Sequence, residues 1–229
     1  MVDFKPPNSH EFHAAAHNAS PDYWGRRVIE RHLGQEPLSA RHYLLHSPDD
    51  RAGARGFRLN PAPPAPRLVF TQTLELARLQ RIADPILADE AVVAGGDTKQ
   101  VENLLLIGTS MGGARPKAIV EDDDGLWIAK FNRSDDRSDS ARVEHAMLML
   151  ARACGLDVAE SRVVEVGGRS VLLVKPFDRQ RVEGGYWRAR MVRALTLLRA
   201  EDTLKFRLPD LAGNVVGTFV ALESRSCWS

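Results

Sequence analysis

Four prolines fall within seven residues at Asn60-Pro61-Ala62-Pro63-Pro64-Ala65-Pro66, and nothing else in the chain limits its folding as sharply. Proline has no backbone donor and fixes φ, so such a run can enter neither a helix interior nor a central strand. It reads as an extended connector. The run therefore sets off a first block, residues 1–59, from a linker, residues 60–66, and from everything that follows. Beyond it, composition separates a second block, residues 67–179, from a third, residues 180–229, whose pattern loses definition.

Composition narrows the class. Of 229 residues, 44% are hydrophobic and 27% charged, enough to bury a core. Thirty-one basic side chains against thirty acidic ones leave a net charge of +1, which gives no electrostatic reason to propose direct nucleic-acid binding. Cys154 and Cys227 form no C-x-x-C pair, so no structural metal site is expected. Cys154, in an apolar helical run, reads as a small buried hydrophobe. A reducing, cytoplasmic compartment fits this cysteine usage. The first twenty residues lack the apolar core of a signal peptide, and no apolar run approaches a membrane span, so a soluble chain is expected.

The periodicities are those of an α+β chain. In the first block, Asp22 precedes Tyr23 and Trp24 as a capping residue, and residues 40–45 read as a second short helix. Residues 74–88 carry Leu76, Leu79, Ile82 and Ile86 at helical spacing. Residues 118–121 and 126–131 read as strands around the turn Asp122-Asp123-Asp124-Gly125. Residues 143–153 form a helix with Val143, Met147, Leu150 and Cys154 in one stripe. Two β-branched strands, residues 163–166 and 170–174, flank Gly167-Gly168, and a helix is expected over residues 189–200.

The residues that carry chemistry lie in the second block. Gly108-Thr109-Ser110-Met111-Gly112-Gly113-Ala114-Arg115-Pro116-Lys117 is glycine-rich and ends on a cation. Glycines let backbone N–H groups approach phosphate oxygens. It is not a Walker A loop, because Ala114-Arg115 stands where Lys-Ser/Thr is required. Alone, it reads more readily as a flexible turn than as a phosphate loop. Thirteen residues after Lys117 comes Lys130, in Leu126-Trp127-Ile128-Ala129-Lys130-Phe131. Strand alternation puts Leu126, Ile128 and Lys130 on one face and Trp127, Ala129 and Phe131 on the other. A lysine so placed needs a partner or a route to water. Glu144, fourteen residues on, opens the next helix. A kinase holds nucleotide phosphates with a strand lysine tethered to such a glutamate.

Taken in order, GTSMGGARPKA at residues 108–118, WIAKF at 127–131, residues 144–151 and LLVKPFDR at 172–179 resemble the successive blocks of the HipA-type serine/threonine kinases, toxins of type II toxin–antitoxin pairs. PDYWGRRVIE at residues 21–30, residues 38–45 and RAGARGF at 51–57 are similar to blocks of that family's N-terminal subdomain. Residues 194–198 resemble the opening helix of its C-terminal lobe. The resemblance runs over residues 20–212. It implies a kinase-like lobe with a small antiparallel sheet and helix over residues 67–179, preceded by part of the N-terminal subdomain and followed by a fragment of the helical C-terminal lobe. It further implies that Gly112, Gly113, Ala114, Arg115, Pro116 and Lys117 face the ATP phosphates, and that Lys130 holds them, paired with Glu144. Lys175, Pro176 and Phe177 would be the hinge that meets adenine. Ser110 matches a loop serine that family members autophosphorylate, or is a plain turn residue. A HipB-like helix-turn-helix antitoxin is the partner the resemblance suggests.

The chain departs from the family pattern towards its end. Family members carry a catalytic aspartate in a histidine-containing loop and then a metal-binding aspartate. Here no histidine follows His145, and only Asp202 and Asp210 follow Arg179. The chain is therefore expected to be a truncated family member with no catalytic residues of its own and with ATP binding weakened or lost. Magnesium would bind only if a C-terminal lobe were supplied. The alternatives are a pseudokinase regulator kept for nucleotide or partner binding, and an unrelated α/β interaction domain. Proximity of Lys130 to Glu144 separates the first two from the third.

Overall fold

The computed structural model describes residues 20–34, 38–47, 51–54, 56–57, 59, 71–87, 115–133, 135–193 and 219–222. The linker over residues 60–66, the apolar stretch 102–107 and the glycine-rich segment through Ala114 lie outside these residues. Helix α1, Tyr23–Leu33, begins where expected: the Asp22 carboxylate accepts from the Gly25 N–H at 2.8 Å. That satisfies one of the donors a helix start leaves over. The helix stops at Gly34, whose φ of 63° puts it in the left-handed region that closes a helix end. A short α2, Ala40–His46, follows.

After a single tight turn at Thr73–Glu75, α3 spans Leu76–Leu87. Leu76, Leu79 and Ala83 are buried along one side of it. The sheet is built from β1, Thr71–Gln72; β2, Lys117–Asp122; β3, Gly125–Phe131; β4, Ser161–Val166; and β5, Arg169–Val174, in the spatial order β1-β2-β3-β5-β4. All neighbours are antiparallel except the two-residue edge strand β1, which lies parallel to β2. Asp122–Gly125 makes the expected hairpin turn, with Gly125 at φ 108°.

Alternation sorts the two faces of the sheet. Ala118, Val120, Trp127, Ala129, Phe131, Val171 and Leu173 pack with Trp24 and Val28 of α1 and with Leu76, Leu79 and Ala83 of α3 in one core. On the opposite face, Leu172 and Val174 pack with Ala141 of α4, Ser140–Ala153, and with Val163. The uninterrupted run Val171 to Val174 is buried on both faces, as a central strand with no polar side requires. The first block therefore shares its core with the sheet.

The third block differs from expectation. Arg190–Arg193 forms strand β8 rather than the start of a helix, paired antiparallel with β9, Phe219–Leu222. Before it, β6, Arg179–Val182, and β7, Gly185–Arg188, make a hairpin. The helical spacing of residues 189–200 is overridden at its start by pairing with a distant segment, since propensity is a weak prior against tertiary contact. Met191 is buried, and a Cβ on Gly53 would come within 3.2 Å of its Cβ, so the first block closes over this strand. Residues 194–200 lie outside the described residues. Cys154 is exposed, contrary to the expectation of burial, because it falls just past the end of α4.

Leu173→Ala should lower unfolding free energy by about 2–5 kcal/mol, since it empties the centre of the main core. Met147→Ala, on the exposed side of α4, should change it by less than about 0.5 kcal/mol. Urea denaturation of the two variants measures both.

Candidate functional site

Asn132, one residue past β3, determines where α4 lies. Its side-chain amide donates to Asp139 at 2.8 Å, and its carbonyl oxygen accepts from the Ala141 N–H at 3.0 Å. Asp139, the capping residue, accepts from the Arg142 N–H at 3.0 Å and from the Ser170 hydroxyl at 2.6 Å. The start of α4 is thus tied to the ends of β3 and β5 by side chains that satisfy its unpaired donors. One turn further along, Glu144 comes over the sheet.

Lys130 lies on β3, with β2 and β5 as its neighbours, and its ammonium group meets Glu144 at 2.5 Å. The lysine side chain is 29% exposed and the glutamate 42%, so this pair sits at the rim and not in the core. The structure brings together the two residues that spacing alone had linked. Around them, Ile128 and Leu172 share the same face, and Ile128, Ala52 and Tyr186 each pack against Ile119 and Leu126.

The exit of the glycine-rich segment is also fixed. Arg115 forms a two-pronged ion pair with Asp136, at 2.5 and 3.0 Å, and the Phe131 N–H donates to the Pro116 carbonyl at 3.0 Å. Hydrogen bonding from Arg115 holds the Asp136 carboxyl below the usual carboxylate range. Lys117 begins β2, directly opposite Lys130. Its ammonium group is buried and paired with Asp22, the residue that caps α1. Burial pushes the Lys117 ammonium pKa down, while Asp22 opposes that shift. Ninety-five residues separate the partners of this pair, and no local pattern announces it.

Lys175 leaves β5 with its ammonium 5.2 Å from the centre of the Trp127 ring and 3.5 Å from Glu160. Pro176 is buried and Phe177 is 59% exposed. Ser110, Gly112, Gly113 and Ala114 lie outside the described residues. No group of three or more His, Cys, Asp or Glu side chains that could hold a metal ion occurs among the described residues, and no described helix is long and apolar enough to cross a membrane.

Sequence reasoning missed the ties behind this face. The Gly53 N–H donates to Asp178 at 2.8 Å, while Arg179 and Arg188 both donate to the Arg51 carbonyl, at 3.0 and 2.6 Å. Tyr186 of β7 donates to Glu121 of β2 at 2.6 Å and packs against Ile119 and Leu126. The RAGARGF segment was visible as a block, but a loop that satisfies its groups through remote arginines leaves no periodic signal.

The model of the family described as HipA-like C-terminal domain matches residues 109–225. No curated protein matches by sequence. Among solved structures, the fold is similar to HipA of Shewanella oneidensis MR-1, determined in complex with HipB and its operator DNA. The TM-score is 0.60 at 21% identity, over 85% of this chain and 45% of that one. The chain thus spans about half the length of that relative.

Burial first, and then its bond to Glu121, pushes the Tyr186 phenol from 10.0 up to about 12. A phenol that keeps its proton longer when folded contributes stability that is complete below pH 10 and is lost as pH rises through about 12. The chain should therefore lose stability across that window, and Tyr186→Phe should lose less. Urea midpoints taken at intervals through the window give the comparison, and equal losses in both proteins would count against this placement of Tyr186.

Proposed function

This chain belongs to the HipA family, and from that premise we propose that it is the nucleotide-binding lobe of a HipA-type serine/threonine kinase, with weakened ATP binding and without phosphate transfer of its own. The observation that carries the reading is the ion pair between Lys130 on the central strand and Glu144 on the packed helix. Such a pair keeps a lysine charged and aimed at one place, which is what holding a polyphosphate requires. ATP, when bound, supplies the phosphates and the transferable γ-phosphoryl group. Lys130 would hold those phosphates, with Gly112, Gly113 and Ala114 presenting backbone donors. Lys175, Pro176 and Phe177 would form the hinge beside the adenine. Ser110 would be a regulatory phosphorylation site, since added phosphate charge at the mouth of a phosphate loop opposes ATP.

The lack of phosphotransfer rests on the sequence. No histidine stands near Asp202 or Asp210 in sequence, so neither lies in an H-x-x-D-like segment that could pair a base with a metal-binding carboxylate. A second reading, a module kept for partner binding, is favoured by the exposed apolar stripe Val143, Met147 and Leu150 on α4. A HipB-like antitoxin is the partner we propose, supported by the assembly in which the Shewanella oneidensis HipA was determined. We place the chain in the cytoplasm, in keeping with its exposed unpaired thiol at Cys154.

The test is direct binding of magnesium-ATP and of adenosine to the full chain by calorimetry, with γ-labelled ATP to follow transfer. Lys130→Met should weaken ATP binding by about tenfold or more and leave adenosine unchanged, since a charged hydrogen bond contributes about 1.5–3 kcal/mol and 1.4 kcal/mol is tenfold. No label should reach Ser110. Equal ATP binding by both proteins would refute the assignment of Lys130, and label on Ser110 would refute the lack of transfer.

A further inference from the structure

Two lysines stand directly opposite each other on β2 and β3, and their surroundings differ in one decisive respect. Lys130 and its partner Glu144 are 29% and 42% exposed, while Lys117 and its partner Asp22 are 3% and 7% exposed. An exposed pair is weak and screened, so an anion can take the lysine from its glutamate at little cost. A buried pair cannot be opened that way, because the carboxylate left behind would be both charged and desolvated. Directly opposed residues in an antiparallel pair lie close enough for like charges to repel. Asp22 answers the charge of Lys117 beside Lys130.

We propose that Lys117 is not a phosphate ligand but a strut, and that Asp22, at the head of α1, is a positioning residue for the nucleotide site through it. The inference rests on the nucleotide reading above and refines it, since it leaves the ammonium contact to the phosphates with Lys130 alone of the two. The Asp22 carboxylate has two duties. One oxygen accepts from the Gly25 N–H and starts α1; the other takes the Lys117 ammonium and starts β2. The adjoining backbone is held from the other side, where the Phe131 N–H bonds the Pro116 carbonyl and Arg115 grips Asp136. The point at which the glycine-rich segment enters the sheet is thereby fixed to α1 at Lys117 and to the β3–α4 connection at Arg115. A displacement of α1 would move the start of β2, and with it Lys117 opposite Lys130.

Asn caps a helix as well as Asp, so Asp22→Asn removes the charge and keeps the cap. Three variants of the full chain are compared: Asp22→Asn, Lys117→Met, and both together. Each is measured by urea denaturation and by calorimetric titration with magnesium-ATP and with adenosine. Each single change strands one buried charge, so the double variant should be more stable than either single one. It should bind ATP and adenosine more weakly by the same factor, with an unchanged ratio of the two affinities, whereas Lys130→Met loses about tenfold for ATP alone. Unchanged affinity for both ligands would show that the pair positions nothing. Additive stability effects would overturn the strut. A selective loss of ATP affinity in the double variant, with adenosine binding kept, would make Lys117 a phosphate ligand and overturn the proposal. If the starting protein binds neither ligand, the nucleotide reading fails, and the stability cycle still decides whether Asp22 and Lys117 act as a pair. If the double variant does not fold, Asp22→Asn with Lys117→Gln, which keeps the cap and a polar side chain at 117, takes its place under the same criteria.

Discussion

A lysine on the middle strand of a sheet covered on both faces is tolerated only where its charge is answered. That requirement organises the molecule. Strand β3 is bounded by β2 and β5, backed on one face by α1 and α3, and faced on the other by α4. Trp127, Ala129 and Phe131 spend one side of the strand on the core, so Lys130 must find its counter-charge on the other. Glu144 supplies it because Asn132, two residues past Lys130, holds the first turn of α4 through Ala141 and Asp139. The strand thus positions both its own lysine and the helix that brings the lysine's partner.

The same strand explains why the first block cannot be treated as an appendage. Trp24 and Val28 lie in one cluster with Trp127 and Ala129, and Arg169 of β5 grips Asp84 of α3 with both prongs of its guanidinium. The segment at Arg51 and Gly53 is held by Asp178, Arg179 and Arg188 from the hairpin that follows β5. Apolar burial supplies most of the cohesion, at roughly 25 cal/mol per Å². The polar ties supply position. Arg51 is buried, and its carbonyl takes hydrogen bonds from two arginines, so these ties fix geometry and also satisfy an acceptor shielded from water.

What the sequence revealed follows from where the signal is local. Asp22 as a cap, the turn at Gly125, the paired strands around Gly167 and Gly168, and the facing of Lys130 are all decided within a few residues, and each was legible. Helix α4 was legible as a helix, but its inward face was not. Its apolar stripe, Val143, Met147 and Leu150, faces outward, while Ala141, Glu144, His145 and Leu148 lie on the side towards the sheet. Apolar spacing identifies a helix and says nothing of which neighbour is present to cover it. Strand β8 was misread for a related reason: Arg190 to Arg193 has no alternation of its own, and only a partner about thirty residues away makes it a strand. The Lys117 and Asp22 pair was invisible because the match is electrostatic, and a sequence full of acids and bases offers too many candidate pairings at long range.

The distribution of burial also sets which parts of the site are stiff. Strands β2, β3 and β5 are buried nearly throughout, whereas α4 buries only Ala141 completely. Its hold on the sheet comes mainly from side chains at its N-terminal end, and from His145, whose ring nitrogen lies 2.9 Å from the Ser161 hydroxyl. Regions with few buried apolar contacts open at lower free energy than core strands. Lys130 is therefore carried by the most rigid element of the fold and Glu144 by one of the least buried. A lysine fixed by a buried strand and a glutamate fixed by a lightly held helix make a pair whose closure depends on where the helix rests.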